Sequence, residues 1–280
     1  MSLGDLEIID RTPLGGGCIS RAERIRVKSG REFLLKQHSG SEGASMLAAE
    51  AAGLEALWSE AGPRVPAVEN VWTEGRTTYL LMEYIESGAR PGAFFRDFGV
   101  KLARLHRERT ETSFGFSMDN FIGSTPQPNP WTDTWIGFFA EHRLGYQIRL
   151  ARTKGLLDKR TVDEVEGIIS RLDLLLVEPE QASILHGDLW GGNYLVDASG
   201  EPVIIDPAVF YGHREADLAM TELFGGFSPD FYRAYEEEWP LQPGYRERRD
   251  LYNLYHMLNH LNIFGSGYSG AVKRICSKYR

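Results

Sequence analysis

Short segments in which apolar and polar residues alternate fill the first third of the chain. Five of them fit β-strands, and they read "EIIDRTPL", "ISRAERIRV", "REFLLKQ", "AVENVWTE" and "TTYLLMEYIE". Between the third and the fourth, apolar residues recur near helical spacing from Met46 to Trp58. Ser41 is the expected N-cap of this helix, and Gly62 and Pro63 end it. The pattern predicts five antiparallel strands and one helix.

Helical spacing dominates the rest of the chain, after the breaker-rich stretch "ESGARPG" at residues 86–92. Two short strands, "YLV" and "PVIID", interrupt it around the turn at residues 197–200. Trp131 and Trp135 are expected together in one amphipathic helix that packs into the core. The change of pattern predicts an α+β protein of two lobes: residues 1–85, a small antiparallel sheet with one helix, and residues 86–280, which are mostly helical.

Composition narrows the class of protein. The chain has 280 residues, 42% of them hydrophobic and 25% charged, which is typical of a globular protein. Its net charge of −8 disfavours nucleic acid as a partner, and no apolar run approaches the roughly 20 residues that cross a bilayer. Two cysteines far apart in sequence, Cys18 and Cys276, form no disulfide framework. With no signal-like start, these features predict a cytoplasmic protein.

Chemistry is concentrated in "ILHGDLWGGNYLVDASGEPVIIDPA", residues 184–208. Phosphoryl transfer needs an acceptor for the hydroxyl proton and hard oxygen ligands for Mg²⁺. Asp188 is a candidate base, and Asn193 and Asp206 are candidate metal ligands, because the predicted hairpin between them would fold Asp206 back toward Asn193. The simpler interpretation of each residue alone is a polar residue in a surface turn.

Two features of the first lobe fit the same chemistry. The glycines of "LGGGCIS", residues 14–20, could bring backbone N–H groups close to phosphate oxygens, although a plain hairpin turn is the simpler interpretation. Lys36 ends an apolar strand, and Glu50 lies among small apolar residues of the predicted helix. If these two side chains pair, they would direct an ammonium group onto nucleotide phosphates. The order of all these features along the chain favours a kinase site.

This order resembles the protein-kinase-like fold, with "HGD" where protein kinases have "HRD" and "IDP" where they have "DFG", as in the aminoglycoside phosphotransferases. The longer strings "HGDLWGGN", "IIDPAVFYGHREADLAMTELFGGF" and "LYNLYHMLNHLNIFGSGY" are similar to those of the fructosamine (ketosamine) kinase family. The similarity extends from about residue 6 to residue 268.

The resemblance implies an ATP- and Mg²⁺-dependent enzyme that phosphorylates the 3-hydroxyl of a ketosamine on a lysine or a free amine. Asp188 would accept the hydroxyl proton, and Asn193 and Asp206 would hold Mg²⁺. Lys36, steadied by Glu50, would contact the phosphates of ATP. The resemblance also implies a lid over the phosphates, formed by Gly15, Gly16, Gly17 and Ser20. Met82 would be the gatekeeper, and the backbone of Glu83, Tyr84 and Ile85 would be the hinge that binds adenine.

Further residues near these motifs have a functional and a simpler interpretation. Trp190 follows the base and offers a flat face to a sugar, which we favour over a place in the core. His186 is expected to brace the loop. Asp217 reads as a helix N-cap, and the resemblance adds that it anchors the catalytic loop. Three residues near the expected acceptor cleft are candidate substrate contacts: His213, Arg214 and Glu215.

Cys18 is a candidate redox site, since a thiol among backbone N–H donors favours its thiolate. The resemblance implies a disulfide between two chains there, and the simpler interpretation is a small residue tolerated in a tight loop. The expected partner is a small-molecule ketosamine or a glycated protein lysine, and the protein is expected to be a monomer or a homodimer. Two alternative functions stay open: a kinase of another hydroxyl compound, such as an aminoglycoside- or choline-like amine, and a nucleotide-binding scaffold without catalysis.

Overall fold

The computed structural model describes residues 2–15 and 20–280. The first part of the chain contains a 3₁₀ turn, five strands and one helix: Leu3–Leu6, β1 (Ile8–Leu14), β2 (Arg21–Val27), β3 (Glu32–Ser39), α1 (Gly43–Leu57), β4 (Val68–Glu74) and β5 (Thr77–Glu83). The strands form one antiparallel sheet in the order β1-β2-β3-β5-β4. The predicted five strands and single helix of this part are therefore confirmed.

Alternation along β3 decides which side chains reach the cleft. Phe33 and Leu35 point to one face of the sheet, where a small apolar cluster lies under the N-terminal 3₁₀ turn. Leu34 points to the other face and packs against the main core. Since successive side chains of a strand alternate, Lys36 lies on the same face as Leu34, toward α1.

Helix α1 covers this inner face of the sheet. Leu47, Leu54 and Leu57 are each at most 1% exposed and belong to the main core. The helix begins at Gly43, and Glu42 precedes it without a side-chain capping bond, so the predicted N-cap at Ser41 is wrong. Gly43 packs closely on His38 at the end of β3, so the contact between the helix and this strand fixes where the helix starts.

The second part of the chain is mostly helical. Its elements in chain order are α2 (Phe94–Glu108), β6 (Thr110–Glu111), β7 (Asn120–Ile122), β8 (Thr125–Gln127), α3 (Trp135–Phe138), a π-helical segment (Phe139–Gly145), α4 (Tyr146–Thr153), α5 (Lys159–Ile169), α6 (Leu172–Leu175), β9 (Ala182–Leu185), β10 (Tyr194–Val196), β11 (Pro202–Ile204), β12 (Phe210–Gly212), α7 (Glu215–Leu223), α8 (Pro229–Glu238), α9 (Tyr245–Phe264), a 3₁₀ turn (Ser266–Tyr268) and α10 (Ser269–Lys278). β10 and β11 form a hairpin, as predicted.

Packing in this part brings α2 against α8 and α7 against α9. A side chain at Gly99 of α2 would collide with the carbonyl oxygen of Phe231, so the glycine sets how closely α8 approaches. Trp135 is fully buried, but Trp131 precedes α3 and is 48% exposed. The prediction of one helix containing both tryptophans is therefore wrong for Trp131. Among the residues that the structure describes, no helix is both long and apolar enough to cross a bilayer.

The segment between α1 and β4 joins the two parts of the chain. The amide of Arg64 donates to the carbonyl oxygen of Pro202 at 3.0 Å, and the amide of Ile204 donates back to the Arg64 carbonyl at 2.9 Å. The Arg64 guanidinium also donates to Asp197 at 2.7 Å and pairs with Glu83 at the end of β5. This segment of the first part thus extends the β10–β11 hairpin of the second, beneath the cleft between them.

Candidate active site

The loop from β9 to β10 carries the sequence "HGDLWGGN" and is fixed at its base by tight backbone packing. Gly187 has a φ of 80°. A side chain there would be strained and would also collide with the carbonyl oxygen of Ala208. The His186 carbonyl accepts from the amide of Ala208 at 2.8 Å, and Nε2 of His186 donates to the Ile205 carbonyl at 2.9 Å. These contacts tie the loop to the strand that leads to Asp206.

Asp217 holds the same loop from below. Its carboxylate accepts hydrogen bonds from the amide of His186 at 2.7 Å and the amide of Gly187 at 2.9 Å, and Nε2 of His106 lies 3.2 Å away. Burial alone would raise the pKa of Asp217, but these hydrogen bonds and nearby imidazoles hold the pKa below its usual value. The anchoring contact is present, but Asp217 lies inside the first turn of α7 rather than at the predicted N-cap, because the helix begins at Glu215.

Asp188 and Asn193 meet across the loop. Nδ2 of Asn193 donates to the backbone carbonyl of Asp188 at 2.8 Å and to Oδ2 of Asp188 at 3.2 Å. These bonds orient one carboxylate oxygen, and Oδ1 is not used by them. Burial raises the pKa of Asp188 to about 8, against the lowering effect of the Asn193 hydrogen bond, and the negative charges of Asp206 and Asp217 raise it further.

Asp206 comes to this point through the hairpin. The amide of Ile205 donates to the carbonyl oxygen of Asn193 at 3.0 Å, which places the next residue beside the loop. Asp206 has a φ of 55°, a left-handed conformation that is uncommon for a residue other than glycine. Its side chain is 46% exposed and faces the cleft. The hairpin therefore brings Asp206 back to Asn193, as the sequence predicted.

Lys36 connects the sheet to this cluster. Its Nζ atom lies 2.6 Å from Oε1 of Glu50 and also pairs with Asp206. Burial lowers the pKa of Lys36, but the two carboxylates outweigh this effect and hold its pKa above the usual value. The ammonium is therefore charged at neutral pH, and it stands between α1 and the second lobe.

The donor set suits a magnesium ion that is held partly by a nucleotide. Within residues 2–15 and 20–280, no three His, Cys, Asp or Glu side chains gather to form a metal site by themselves. Mg²⁺ is commonly bound by one or two protein oxygens together with substrate phosphates and water. The carboxylate of Asp206 and the amide oxygen of Asn193 offer such a partial set, because the Asn193 nitrogen is turned toward Asp188.

The expected nucleotide contacts border the cleft. Met82 is 2% exposed and lies opposite Leu34 on the sheet. The amide of Glu83 already donates to the Ala67 carbonyl at 2.8 Å, so the backbone of Tyr84 and Ile85 is better placed to meet an adenine. Gly15 is exposed, and Oγ of Ser20 lies 3.5 Å from Nδ1 of His38. Gly16, Gly17 and Cys18 lie outside the described residues, so the predictions for them stay predictions.

Trp190 lies on the outer side of the catalytic loop and is 39% exposed. It is not a core residue. The three candidate substrate contacts His213, Arg214 and Glu215, in contrast, are at most 7% exposed and therefore buried.

The reason is long-range pairing. Glu215 accepts two hydrogen bonds from Arg248, at 2.6 and 2.8 Å, and Arg214 donates to the Trp239 carbonyl at 2.9 Å. Burial lowers the pKa of His213 to about 3, and the neighbouring arginines add to the effect. These three side chains stabilise the junction of α7, α8 and α9.

Two residues at the site carry no signal in the sequence. His106 lies within α2 and supports Asp217, and its Nδ1 is 2.8 Å from the hydroxyl of Tyr235. Phe224, just after α7, stands edge-on to Trp190 with 6.4 Å between ring centroids. Local patterns place His106 on a helix and Phe224 in a loop, and neither pattern shows that they reach the catalytic loop.

The fructosamine kinase family model matches residues 2–280 of this chain. The chain belongs to the fructosamine kinase family. A probable ketoamine kinase of Synechocystis is 42% identical over 96% of this chain and 89% of its own length. A chloroplastic protein-ribulosamine 3-kinase of Arabidopsis thaliana is 41% identical over 95% of this chain and 81% of its own.

Solved structures agree with this membership. The crystal structure of a putative fructosamine-3-kinase of Thermobifida fusca has a TM-score of 0.88 at 33% identity. The match covers 98% of this chain and 94% of that one. An aminoglycoside phosphotransferase structure has a TM-score of 0.66 at 18% identity, and the match covers 99% of this chain and 96% of that one. This likeness shows the shared fold alone. The fold of this fructosamine kinase family member is thus kinase-like, and the resemblance inferred from its motifs is confirmed. It is an enzyme of the ATP-dependent kinase class.

Proposed function

We propose that this protein transfers the γ-phosphate of ATP to the 3-hydroxyl of ketosamines, as a step in removing sugar adducts from amines. One observation carries the proposal: in a chain of the fructosamine kinase family, Asp188, Asn193, Asp206 and Lys36 converge on one cleft. The curated relatives named as ketoamine and ribulosamine kinases support the acceptor class. The acceptor is a small-molecule ketosamine or a glycated lysine.

ATP would lie between the two lobes, residues 1–85 and 86–280. The backbone of Tyr84 and Ile85 would meet the adenine beside Met82. The glycines at residues 15–17, with Ser20, would cover the phosphates. Lys36 would neutralise phosphate charge, since Glu50 holds its ammonium group in the cleft.

Asn193 and Asp206 would hold the magnesium ion, which supplies positive charge to the nucleotide phosphates. The carboxylate of Asp206 is 46% exposed and would therefore be open to the ion. Lys36 pairs with this carboxylate and would have to share it with the ion. Binding of ATP with Mg²⁺ would therefore redistribute the contacts of Lys36.

Asp188 would act on the acceptor. The acceptor oxygen attacks the γ-phosphorus, the bond from that phosphorus to the oxygen of ADP breaks, and the hydroxyl proton passes to Asp188. A base is most effective when its pKa lies near the working pH, and burial has raised the pKa of Asp188 to about 8. Asn193 fixes the orientation of the carboxylate, and Trp190 would stack on the sugar.

The decisive experiment is an ATP-consumption assay with fructosyl-, ribulosyl- and erythrulosyl-lysine as acceptors. At least one of them should be phosphorylated at O3, which phosphorus NMR of the product would locate. Aminoglycosides and choline-like amines serve as the comparison set. Turnover of these compounds but of no ketosamine would support the other small-molecule kinase instead.

Replacing the base tests the assigned chemistry. Asp188→Ala should lower kcat by roughly 10²–10⁴-fold, because general-base catalysis contributes about that much. The Asp188 side chain bonds to Asn193 on the same loop and holds no other element, so the variant should stay folded, which a thermal melt would verify. Near-normal kcat in the folded variant would contradict the assignment. A rise in Tm with ATP and Mg²⁺ but no transfer to any acceptor would favour the non-catalytic scaffold.

The redox prediction at Cys18 has its own test. Oxidant should change the activity and the non-reducing gel mobility of the wild type but not of Cys18→Ser. Equal behaviour of the two proteins would exclude a disulfide between chains at this position. The oligomer, monomer or homodimer, and the cytoplasmic location are proposals that accompany this function.

A further inference from the structure

A row of aromatic rings runs outward from the catalytic loop. It begins at Trp190 and continues through Phe224, His260, Phe264 and Tyr268, and we call these five residues the aromatic ridge. Ring centroids are 6.4 Å apart from Trp190 to Phe224, 5.1 Å from Phe224 to His260 and 5.5 Å from His260 to Phe264. Tyr268 stands 5.2 Å from His260 and 6.0 Å from Phe264.

Exposure distinguishes this row from the core. Trp190, Phe224 and Phe264 are 39%, 45% and 58% exposed. Single exposed apolar residues are ordinary on protein surfaces, but a contiguous group of them marks an interaction site. Aromatic rings also dominate the energetics of protein interfaces, so a row of five neighbouring rings is a strong candidate for one.

The ridge is held firmly from below. Gly191 packs on the backbone of Gly225 and Gly226, so the segment after α7 lies directly on the catalytic loop. The hydroxyl of Tyr194 donates to the Gly226 carbonyl at 2.9 Å. Nδ1 of His260 donates to the carbonyl of His256 at 2.8 Å. Burial lowers the pKa of His260, so its ring is uncharged at neutral pH and can pack as an aromatic surface.

We infer that the ridge binds the polypeptide on either side of a glycated lysine. The inference rests on the proposed function, because Trp190 lies two residues after the base and marks the acceptor end of the ridge. A sugar against Trp190 directs its amine substituent along the ridge. The ring centroids of Trp190 and Phe224 are 6.4 Å apart, so the methylene groups of the lysine side chain can lie across both rings.

The rings beyond Phe224 decide between the possible acceptors. A free ketosamine amino acid ends near Phe224, and it would leave His260, Phe264 and Tyr268 uncovered. Phe264 lies within the two centroid steps of 5.1 and 5.5 Å from Phe224, a distance that about three residues of extended chain at ~3.4 Å each can cover. A peptide therefore covers the whole ridge, and apolar residues beside the glycated lysine would gain most from it.

The test compares two acceptors that carry the same sugar: a free ketosamine lysine, and a peptide with that lysine flanked by leucine or phenylalanine. Each is assayed with wild type, Phe264→Ala and Phe224→Ala. For Phe264→Ala we expect a fall of about tenfold in the ratio of kcat/KM for the peptide to kcat/KM for the free amino acid, expressed mainly in KM. Phe224→Ala should raise KM for both acceptors and leave this ratio near the wild-type value, because both acceptors lay the lysine side chain against Phe224. Leu174→Ala is the matched control, since Leu174 is 78% exposed and lies on α6, away from the ridge.

Every outcome bears on the inference. A ratio within twofold of wild type in Phe264→Ala overturns it, while activity of the wild type on the free ketosamine leaves the proposed function intact. Failure of the wild type on both acceptors overturns the proposed function and the ridge assignment together. Light scattering tests whether a second copy of the chain occupies the ridge instead. If wild type is a dimer that Phe264→Ala dissociates, with the ratio unchanged, the ridge is a contact between copies of the chain and the inference is wrong.

Discussion

Asp188 shows how one residue trades stability for chemistry. Its carboxyl group is half-buried beside two other acids, and this raises its pKa to about 8. A base of this kind is useful only when it can lose its proton, and losing it inside the fold costs free energy. The proposed base therefore weakens the fold that holds it, which is common at active sites.

This compromise predicts how Asp188→Asn changes stability with pH. Between the pKa of an unfolded aspartate, about 4, and the folded value, the folded wild type holds a proton that the unfolded chain has released. Wild-type stability therefore falls as pH rises from 5 to 8, and the variant lacks this loss. Melts in EDTA without nucleotide should show a Tm advantage for Asp188→Asn that grows over this range. A constant difference between the two proteins would contradict the raised pKa.

His256 predicts the opposite sign at acid pH. It is buried in α9, and burial lowers its pKa to about 3. The unfolded chain takes up a proton on this histidine below pH 6.5, while the folded chain does not, so stability is lost as pH falls from 6.5 toward 3. His256→Phe should lose less Tm than wild type between pH 7.5 and pH 5. Equal losses would show that His256 is protonated within the fold.

At the scale of elements, the catalytic loop depends on the close approach of two backbones. Gly187 and Gly30 share a positive φ, 80° and 89°, but only Gly187 faces a carbonyl oxygen that a side chain would strike. Gly30→Ala should cost about 1–2 kcal/mol of stability from its conformation alone and should keep its activity. Gly187→Ala should displace the loop that carries the proposed base, Asp188.

The two alanine variants are best compared by Tm and kcat. Because a small displacement of a catalytic group can cost about 10²-fold in rate, Gly187→Ala should lose at least that much of kcat. Similar kcat values in the two variants would mean that the loop tolerates the shift. The comparison separates backbone strain, which both share, from the collision with Ala208, which only one has.

Elements were predictable from sequence where one face of each is buried, as for the five strands, α1 and the β10–β11 hairpin. The ends of these elements and the residues packed around them were harder to predict. The start of α1 depends on the contact of Gly43 with His38, and the burial of Glu215 depends on Arg248, 33 residues away. The proximity of Asp188, Asn193 and Asp206 was predictable because the hairpin between them is short. His106, brought from α2, was not.

At the scale of the whole molecule, Arg64 connects the lobes, because its guanidinium bridges Glu83 and Asp197. Arg64→Met removes both ion pairs but leaves the backbone bonds to β11. Since the pairs are partly exposed, the free energy of unfolding should fall by only about 1 kcal/mol. The KM for ATP should rise severalfold, because the pairs fix the segment beside the proposed adenine site.

Arg31→Met is the control for this prediction. Arg31 pairs with Glu69 at 2.7 Å on the surface of the first lobe, so it forms an Arg–Glu pair that crosses no boundary. Both variants should lose similar Tm, and only Arg64→Met should change the KM for ATP. If both leave that KM unchanged, the bridge contributes to stability alone.

The pairing of Arg64 with β11 also limits how the two lobes can move relative to each other. The chain crosses between the lobes at residues 84–87, and the amide of Glu83 is bonded to Ala67, so both tethers lie side by side. Together they define an axis about which the two lobes would rotate. A rotation of the first lobe about this line would displace the ends of β1 and β2 most and the end of β5 least. Nucleotide exchange would begin at the phosphate end, with the adenine the last part to leave.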